Sequence, residues 1–471
     1  MKHFFSELFL TVRENDNDAL IPELWAQETL EQLEKEMIMG MLVHRDFSEA
    51  IAAFGDTVNA HRPLDVTAST KRDKQKVKTS NAKTVNVPVK LNQWVHNSIL
   101  LGDGEVSKSF KDLIDLYIAP QARSVADRVD QVLLAQAYQF MSNHAGNLSQ
   151  SLSVATILEA RKIMQTNKVD GRDRRFVTGP NGEADLLNID KFTDANTVGD
   201  DGTAMREGHV GRKYGFDFFH DQNVSSIADA DAADLQVYAT SAAVAKGASV
   251  VALSAGSGSG IVTVGSWVTI AGDNIPHQIT AQADNATDTT SITISPALVA
   301  GVGSAAEVVA YKPALVNQSS TALEETDFAT GYPLDYNEVI AIDGVTGAPQ
   351  LGQLVSFGGQ NYGLVGEASA TAVELDRPVE SALADNQPIF LGPSGEYSFA
   401  FHKNALALVT RPLAQPTAGT GARTFVASYN GLTMRATISY DGNYQCTRVT
   451  LDLLCGVKAL NTAMGVIVYS Q

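Results

Sequence analysis

An α+β fold split by a long all-β insertion is what the sequence predicts, on three observations. Apolar residues recur at helical spacing through much of the first third of the chain. A period-two strand in "KTVNVPVKL" follows a basic stretch with the marks of a long hairpin. From about Ala228 to Gly392 the helical signal vanishes and an internal repeat takes its place.

The chain's 471 residues exceed one ordinary core, and length alone suggests two to four compact units. With 44% hydrophobic and 7% aromatic residues the composition is that of a globular protein. No segment approaches the ~20 unbroken apolar residues of a membrane span. In the opening "MKHFFSELFLTVREND" the apolar run is broken by Glu7 and has no small-residue cleavage pattern, so no signal peptide is expected. The formal charge of −18 argues against tight, unspecific nucleic-acid binding, because each phosphate contact needs a Lys or Arg to release counterions. Cys446 and Cys455 read as inert packing thiols, since two sulfurs make no zinc site and the low count fits a reducing compartment.

Residues 20–54 read as helical, with Trp25, Leu30, Leu33, Met37 and Met41 at spacings of three to five. Gly55, Asn59 and Pro63 then punctuate the chain. Val85, Val87, Val89 and Leu91 alternate with polar residues and Pro88, which suits an edge strand. The intervening "KRDKQKVKTSNAK" makes the whole a long hairpin reaching away from the body. Ser109 and Asp112 have capping-box spacing with Asp in place of Glu, and Phe110, Leu113, Ile114 and Tyr117 mark one helical face. Pro120 opens a second helical run, whose stripe of Ala122, Val125, Ala126, Val129, Val132, Leu133 and Phe140 predicts a rod of ~35 Å. A helix over Ser153 to Lys168 leads into "DGRDRRFVTGPNGEADLL", read as a short strand and turn.

The repeat pairs "SVVALS" (249–254) with "EVIAID" (338–343), "GSWVTIAGDN" (265–274) with "GQLVSFGGQN" (352–361), and "ITISPAL" (292–298) with "VELDRPV" (373–379). The order is kept at an offset of 80 to 89 residues, which predicts two small β-barrels or sandwiches in tandem, at about 228–315 and 337–392. After them "FHKNALALVTRPL" (401–413) places Phe401, Ala405, Leu408 and Val409 on one helical face and stops at Pro412. It is expected to be a helix that resumes the interrupted body.

Reactive motifs are scarce. "GSGSG" (256–260) precedes a strand and lacks a following Lys-Ser/Thr, so it reads as a plain loop rather than a phosphate cradle. The acidic "DANTVGDDGT" (194–203) does not match an EF-hand and reads as a solvated loop. The nine His residues form no H-E-x-x-H pattern, no G-x-S-x-G elbow occurs, and His402 reads as a packed or surface residue rather than a general base. No catalytic, cofactor-binding or metal-binding residues are expected. The basic run Lys71, Arg72, Lys74, Lys76 and Lys78, opposed by Asp73 alone, lacks interleaved aromatics and favours contact with an acidic protein surface over nucleic acid. An arm without its own core must bury its apolar alternation on a neighbour, so self-association is expected.

Five blocks carry a family resemblance: "TLEQLEKEMIMGMLVHRDFSEAIAAFGDTVNAHRP", "VPVKLNQWVHNSILLGDGEVSKSFKDLIDLYIAP", "EGHVGRKYGFDFFHDQNV", "AFHKNALALVTRPL" and the terminal "LTMRATISYDGNYQCTRVTLDLLCGVKALNTAMGVIV". Together they cover somewhat under a third of the chain in family order, and they resemble the major capsid proteins of tailed bacteriophages, nearest the coat proteins typified by short-tailed enteric phages. The resemblance implies the Hong Kong ninety-seven type capsid fold. On this chain it would place an N-terminal arm at 1–54, the extended loop at 55–104, and a peripheral domain at 105–149 with its spine helix from Ser109 to Met141. The axial domain would come from 150–227 and resume over 393–471 with peripheral strands, around an insertion at 228–392. That subgroup commonly carries one inserted β-domain; this sequence reads as carrying two. The 165-residue insertion is expected on the outer face, where it takes no genome volume.

The function so implied is a structural subunit that assembles with itself, as hexamers and pentamers, into an icosahedral shell enclosing double-stranded DNA without sequence-specific binding. Scaffolding and portal proteins would be partners, with decoration proteins left open. Its place would be the virion capsid, assembled in the host cytoplasm. A nanocompartment shell of the same fold and a monomeric adhesive or carbohydrate-active β-protein are the alternatives. In shells of this fold the extended loop lies over the next subunit near its spine helix, which here displays Asp112, Asp115, Asp127 and Asp130, the expected partners of the basic tip.

Overall fold

The structure, a computed structural model, describes residues 33, 37–45, 57–62, 68–73, 75–77, 85–102, 119–193, 210–255, 260–317, 332–333, 339–417, 422–429, 432–442 and 445–471. These fall into two compact units. Trp94–Val125 and Arg411–Leu454 belong to the first, and Glu36–Gln93, Ala126–Thr410 and Cys455–Gln471 to the second.

A short helix α1 (Met39–Leu42) precedes an antiparallel hairpin of β1 (Thr57–Arg62) and β2 (Val85–Lys90), with Val58 opposite Val89 and Ala60 opposite Val87. Its alternation buries Val58, Ala60 and Val89 against Ala407 and Val409. Pro88 stands opposite Asn59, in a two-stranded ladder that tolerates a missing donor. Strand β3 (Gln93–Gly102) follows. Helix α2 (Ala119–Ala135) continues into a 3-10 turn at Gln136–Phe140 and buries Ala122, Val125, Ala126, Val129, Val132 and Leu133, an unbroken stripe at helical spacing. The rod reading over 109–118 lies outside the described residues.

After β4 (His144–Gly146), helix α3 (Val154–Thr166) is capped by Ser153, whose Oγ accepts the Thr156 N–H at 3.4 Å. Strand β5 (Arg174–Thr178) is as expected, but the turn expected behind it is a helix, α4 (Pro180–Leu187), followed by α5 (Asp190–Thr193). Pro180 occupies the first helical position, where its missing N–H costs little; the same residue reads equally as a turn former. Strands β6 (Arg212–Lys213), β7 (Phe216–His220) and β8 (Ser226–Ile227) complete this stretch.

Twelve strands then close two barrels. The first takes β9 (Leu235–Thr240), β10 (Val250–Ala255), β11 (Trp267–Ile270), β12 (His277–Asp284), β13 (Thr289–Ser295) and β14 (Glu307–Tyr311). The second takes β15 (Ala314–Val316), β16 (Ile340–Asp343), β17 (Leu354–Phe357), β18 (Gln360–Ala368), β19 (Ala372–Leu375) and β20 (Pro388–Leu391). Around each ring the strands come in the same order, first-second-fifth-fourth-third-sixth. The three repeated sequence blocks fall on the second, third and fifth strands of each. Irregular positions repeat too: Ala305 and Asn386 both have positive φ before the sixth strand, and Val244–Val302 and Tyr332–Leu383 are matching isolated bridges. Gly265 and Gly352, which open the second block, have φ of 103° and 78°, where only Gly sits without strain. The second barrel starts at Ala314, not near residue 337, because its first strand stands far upstream of its second.

The segment 401–413 is not a helix. Strand β21 (Gly395–His402) ends there, a 3-10 turn covers Lys403–Ala405, and β22 (Leu406–Arg411) follows. Leu406 to Thr410 are all buried, and a continuous apolar run bears no period to separate helix from strand. Strands β23 (Arg423–Tyr429), β24 (Leu432–Asp441), β25 (Cys446–Ala459) and β26 (Gly465–Ser470) end the chain.

In the second unit a mixed sheet runs β4-β26-β21-β5-β7-β6, with β8 on β21. Phe176, Phe216, Phe218, Val466 and Val468 pack one of its faces against Ile157, Ala160 and Met164 of α3. Each barrel has its own apolar interior, and a further cluster joins Trp267, Tyr311, Leu354 and Phe390 of the barrels to Tyr138, Tyr397, Ile467 and Tyr469. In the first unit β23 and β24 pair beside residues 446–452 of β25, with β3 also on β25. Gln121 of α2 reaches the Val449 carbonyl at 3.3 Å on one face. On the other, Trp94 Nε1 donates to Asp452 at 3.2 Å, and Arg435 pairs with Asp452 at 2.7 Å.

Two expectations follow. A fragment spanning residues 228–393 should unfold cooperatively as a β-rich monomer, because both interiors are internal to it, yet with Trp267 fluorescence red-shifted relative to the full chain. Disorder by circular dichroism would contradict this. Cys446 and Cys455 are buried and stand nine residues apart on one strand, about 30 Å of extended chain, well beyond disulfide reach. Burial pushes the Cys455 thiol up to about 12, so thiolate is scarce at pH 8. Both should label with a thiol reagent only on unfolding, and rapid labelling of Cys455 in the native chain would refute that packing.

Candidate assembly surfaces

At the hairpin tip the Gln75 N–H donates to the Arg72 carbonyl at 3.2 Å and the Arg72 N–H to Gln75 Oε1 at 3.4 Å, a local turn that needs no support from a core. Lys71, Arg72 and Lys76 are exposed there, and Val77 is 70% exposed. Lys74 and Lys78 lie outside the described residues, as do Asp112 and Asp115.

The two remaining rod carboxylates differ. Asp127 is half-buried on α2. Asp130 is 1% exposed, and its two oxygens accept the Ile38 N–H at 2.7 Å and the Gly40 N–H at 2.9 Å, holding the entry to α1. Burial first, then the nearby Asp221 carboxylate, push Asp130 well above the usual carboxylate range, against the pull of those N–H groups. Asp130 is therefore removed from the set of partners for a basic tip. Its position on the rod reads as surface charge in sequence because the acceptor-needing backbone lies 90 residues away.

The barrels are mounted on the rest of their unit through side chains that sequence patterns do not single out. Asp376 at the end of β19 is fully buried and accepts Gln136 Nε2 at 2.5 Å, the Gly363 N–H at 3.0 Å and Arg377 Nη1 at 3.0 Å. Its carbonyl accepts Gln93 Nε2 at 2.8 Å, beside the hairpin's base. Arg128 pairs with Glu374, and Tyr138 donates its hydroxyl to the Gly352 carbonyl. Equivalent asparagines clasp the body from both barrels: Asn361 Nδ2 donates to the Tyr138 carbonyl at 3.1 Å and Asn274 Nδ2 to Ser149 Oγ at 2.7 Å. The shared "GDN/GQN" ending of the second repeat block is the one sequence signal that marks this mount.

Elsewhere the side chains support packing. Glu396, fully buried, accepts the N–H groups of Gly179, Asn181 and Gly182 at 3.0–3.1 Å, anchoring the start of α4 to β21. His402 is 9% exposed, its Nδ1 accepts the Asn404 N–H at 3.2 Å, and burial holds it below its ordinary value. Residues 194–203 and 256–259 lie outside the described residues. Among the described residues no group of three or more His, Cys, Asp or Glu could hold a metal, and no helix is long and apolar enough to cross a membrane.

Replacing Asp130 by Ala strands two buried N–H groups and should lower stability by ~2–4 kcal/mol in urea unfolding. Asn, which keeps one acceptor, should lose about half as much. An Ala variant within ~0.5 kcal/mol of the parent would show that those bonds carry no weight.

Among known protein families, a model described as phage capsid protein matches residues 114–252. A search of curated protein sequences finds no significant match. Among solved structures, one from Mycobacterium phage Che8 is 12% identical, over 92% of this chain and 90% of that one, with a TM-score of 0.41. The capsid of the cyanophage P-SCSP1u gives 10% identity, 89% and 84% coverage and a TM-score of 0.39; that of Ralstonia phage GP4 gives 10%, 91% and 86%, and 0.38. Residues 114–252, which include α2, α3 and β4 to β9, are thus similar to phage capsid proteins.

Proposed function

We propose that this chain is a structural major capsid protein that assembles with itself into an icosahedral shell enclosing phage double-stranded DNA. The observation that carries the reading is the phage capsid match over residues 114–252, which includes α2, α3 and β4 to β9. The hairpin supports it: its strands bury Val58, Ala60 and Val89 on the chain's own Ala407 and Val409, which leaves the basic, solvent-exposed tip to meet a neighbour. The work of such a subunit is done by interfaces, so hexamers and pentamers follow from repeated contacts of one chain. Scaffolding and portal proteins belong to the same proposal, as does assembly in the host cytoplasm. The two barrels, inserted between β8 and β21, would stand on the outer face, where their volume takes no space from DNA.

The tip residues Lys71, Arg72, Lys74, Lys76 and Lys78 would meet Asp112, Asp115 and Asp127 of an adjacent copy's rod. Each exposed pair contributes only ~0.2 to 1 kcal/mol, so single reversals should do little and repetition around a ring makes the sum matter.

Electron microscopy of the purified chain should show closed shells, and a monodisperse monomer at all concentrations and salts would end the capsid reading. Reversing Lys74, Lys76 and Lys78 to Glu together should weaken assembly strongly at low salt in sedimentation, with monomer folding little changed. Changing Asp112 and Asp115 to Lys should recover part of the loss. Unchanged assembly in the triple reversal would overturn the charge contact.

A further inference from the structure

The charge of the second unit is separated along one strand. Residues 314–391, from the first strand of the second barrel to its last, hold eleven Asp and Glu against one Arg and no Lys, five of the eleven (Glu324, Glu325, Asp327, Asp335 and Glu338) outside the described residues. Exposed on that barrel are Asp343, at the end of β16, and Asp385, in the turn before β20. Residues 161–175 hold six Lys and Arg against two Asp. They close around the far end of β21 with Lys403 and the β6–β7 hairpin.

Backbone pairing and close approaches make that basic end one continuous surface. His402 pairs with Arg174 across β21 and β5, and the Lys403 N–H donates to the Asp173 carbonyl at 3.1 Å. Arg175 stands opposite Asp217 of β7, beside Arg212 of β6. A Cβ on Gly215 would lie 3.8 Å from the Arg161 guanidinium. The inner guanidiniums are directed to carbonyl oxygens: Arg174 to those of Val169 and Asp170 at 2.6 and 2.7 Å, Arg175 to that of Leu42. Carbonyls satisfy donors without neutralising charge; Asp170, Asp173 and Asp217 lie nearby, with Arg212 paired to Asp217 at 3.6 Å, and the basic residues still outnumber them. Lys162, Arg172, Arg212 and Lys403 are exposed at the rim.

The two poles cannot neutralise each other within the chain. Gly395 begins β21 close behind the barrel and His402 ends it at the basic surface, about 23 Å of strand, against a screening length of about 8 Å at physiological salt. We propose that the basic end of β21 on one copy binds the acidic second barrel of a second copy, head to tail. Such a contact is heterologous, with different patches on the two partners, and closes into a ring when the rotation between copies permits. It rests on the shell reading for ring closure alone; the contact itself needs only two copies. The chain carries its own complementary pole, so a second copy is the occupant argued for, and nucleic acid is an outcome of the test.

The test is a charge swap in the full-length chain. Lys162→Glu, Arg172→Glu and Lys403→Glu together should cut association about ten-fold or more at low salt in sedimentation velocity, with circular dichroism and thermal unfolding unchanged. Asp343→Lys with Asp385→Lys should do the same, and the five changes combined should restore association to within about three-fold of the parent. The readout is the fraction associated, whether the parent forms shells or small oligomers, so a failure of the shell reading and a failure of this contact are separate results. Parental association in the triple variant, or no restoration by the combination, would overturn the proposal. So would a triple variant that assembles normally while losing affinity for a short DNA duplex, which would make the basic end a phosphate surface.

Discussion

Asp376 is the group on which the mounting of the second barrel depends. A carboxylate with no exposure carries a desolvation penalty of several kcal/mol, and burial pushes its protonation upward. What offsets that cost is a shell of donors from three places: Gln136 after the rod, Gly363 within the barrel and the adjoining Arg377. Arg377 is itself held over the Tyr362 ring, 4.2 Å from its centroid. Loss of any one donor leaves a buried charge short of partners, so the barrel and the rod's end are obliged to stay together. Backbone proximity enforces the same fit, since a Cβ on Gly363 would lie 2.5 Å from that of Ala135.

The two barrels share a topology and a way of sitting, but not the chemistry of attachment. Where the second has Asp376, the aligned residue of the first is Ser295. The first barrel instead buries Asp273, which accepts His277 Nε2 at 3.0 Å and the N–H groups of Val299 and Ala300 at 3.1 and 2.7 Å, closing its own loops. Trp267 and Leu354, aligned in the repeat, enter the same apolar cluster against the body. Duplication has kept the interior alternation and the seated face, and has changed the polar locks. The first barrel carries four acidic residues and one Lys over 235–311, so the acidity of 314–391 is not a property of the shared fold.

What is legible in the sequence follows from period and punctuation. The repeat blocks on the second, third and fifth strands are visible because alternating apolar residues and positive-φ glycines recur there. Ala314–Val316 escapes a sequence reading because three residues carry no period, and its partner strand lies more than twenty residues on. The run at 401–413 misleads for the opposite reason: with both faces buried there is no polar side to count. Pro180 reads as a turn although it opens α4, because the residue suits both. Asp130 reads as surface charge since nothing local shows that Ile38 and Gly40 need an acceptor. The basic end of β21 is hidden in the sequence because it is assembled from three separated segments.

Net charge is the most useful composition figure, and also the most averaged. Of the −18 total, −10 belongs to residues 314–391, leaving −8 for the other 393. The inference that this chain does not grip nucleic acid rests on the sum, yet more than half of that sum falls within residues 314–391. A field that falls off over about 8 Å is set by local groups, so the body must be judged by its own charges. On that footing it is a weakly acidic scaffold with a basic arm and a basic sheet end. Both basic features are exposed, and both point to a surface of opposite sign. A chain that carries that surface itself, on a barrel held rigidly by Asp376, has the elements of self-recognition built into one unit.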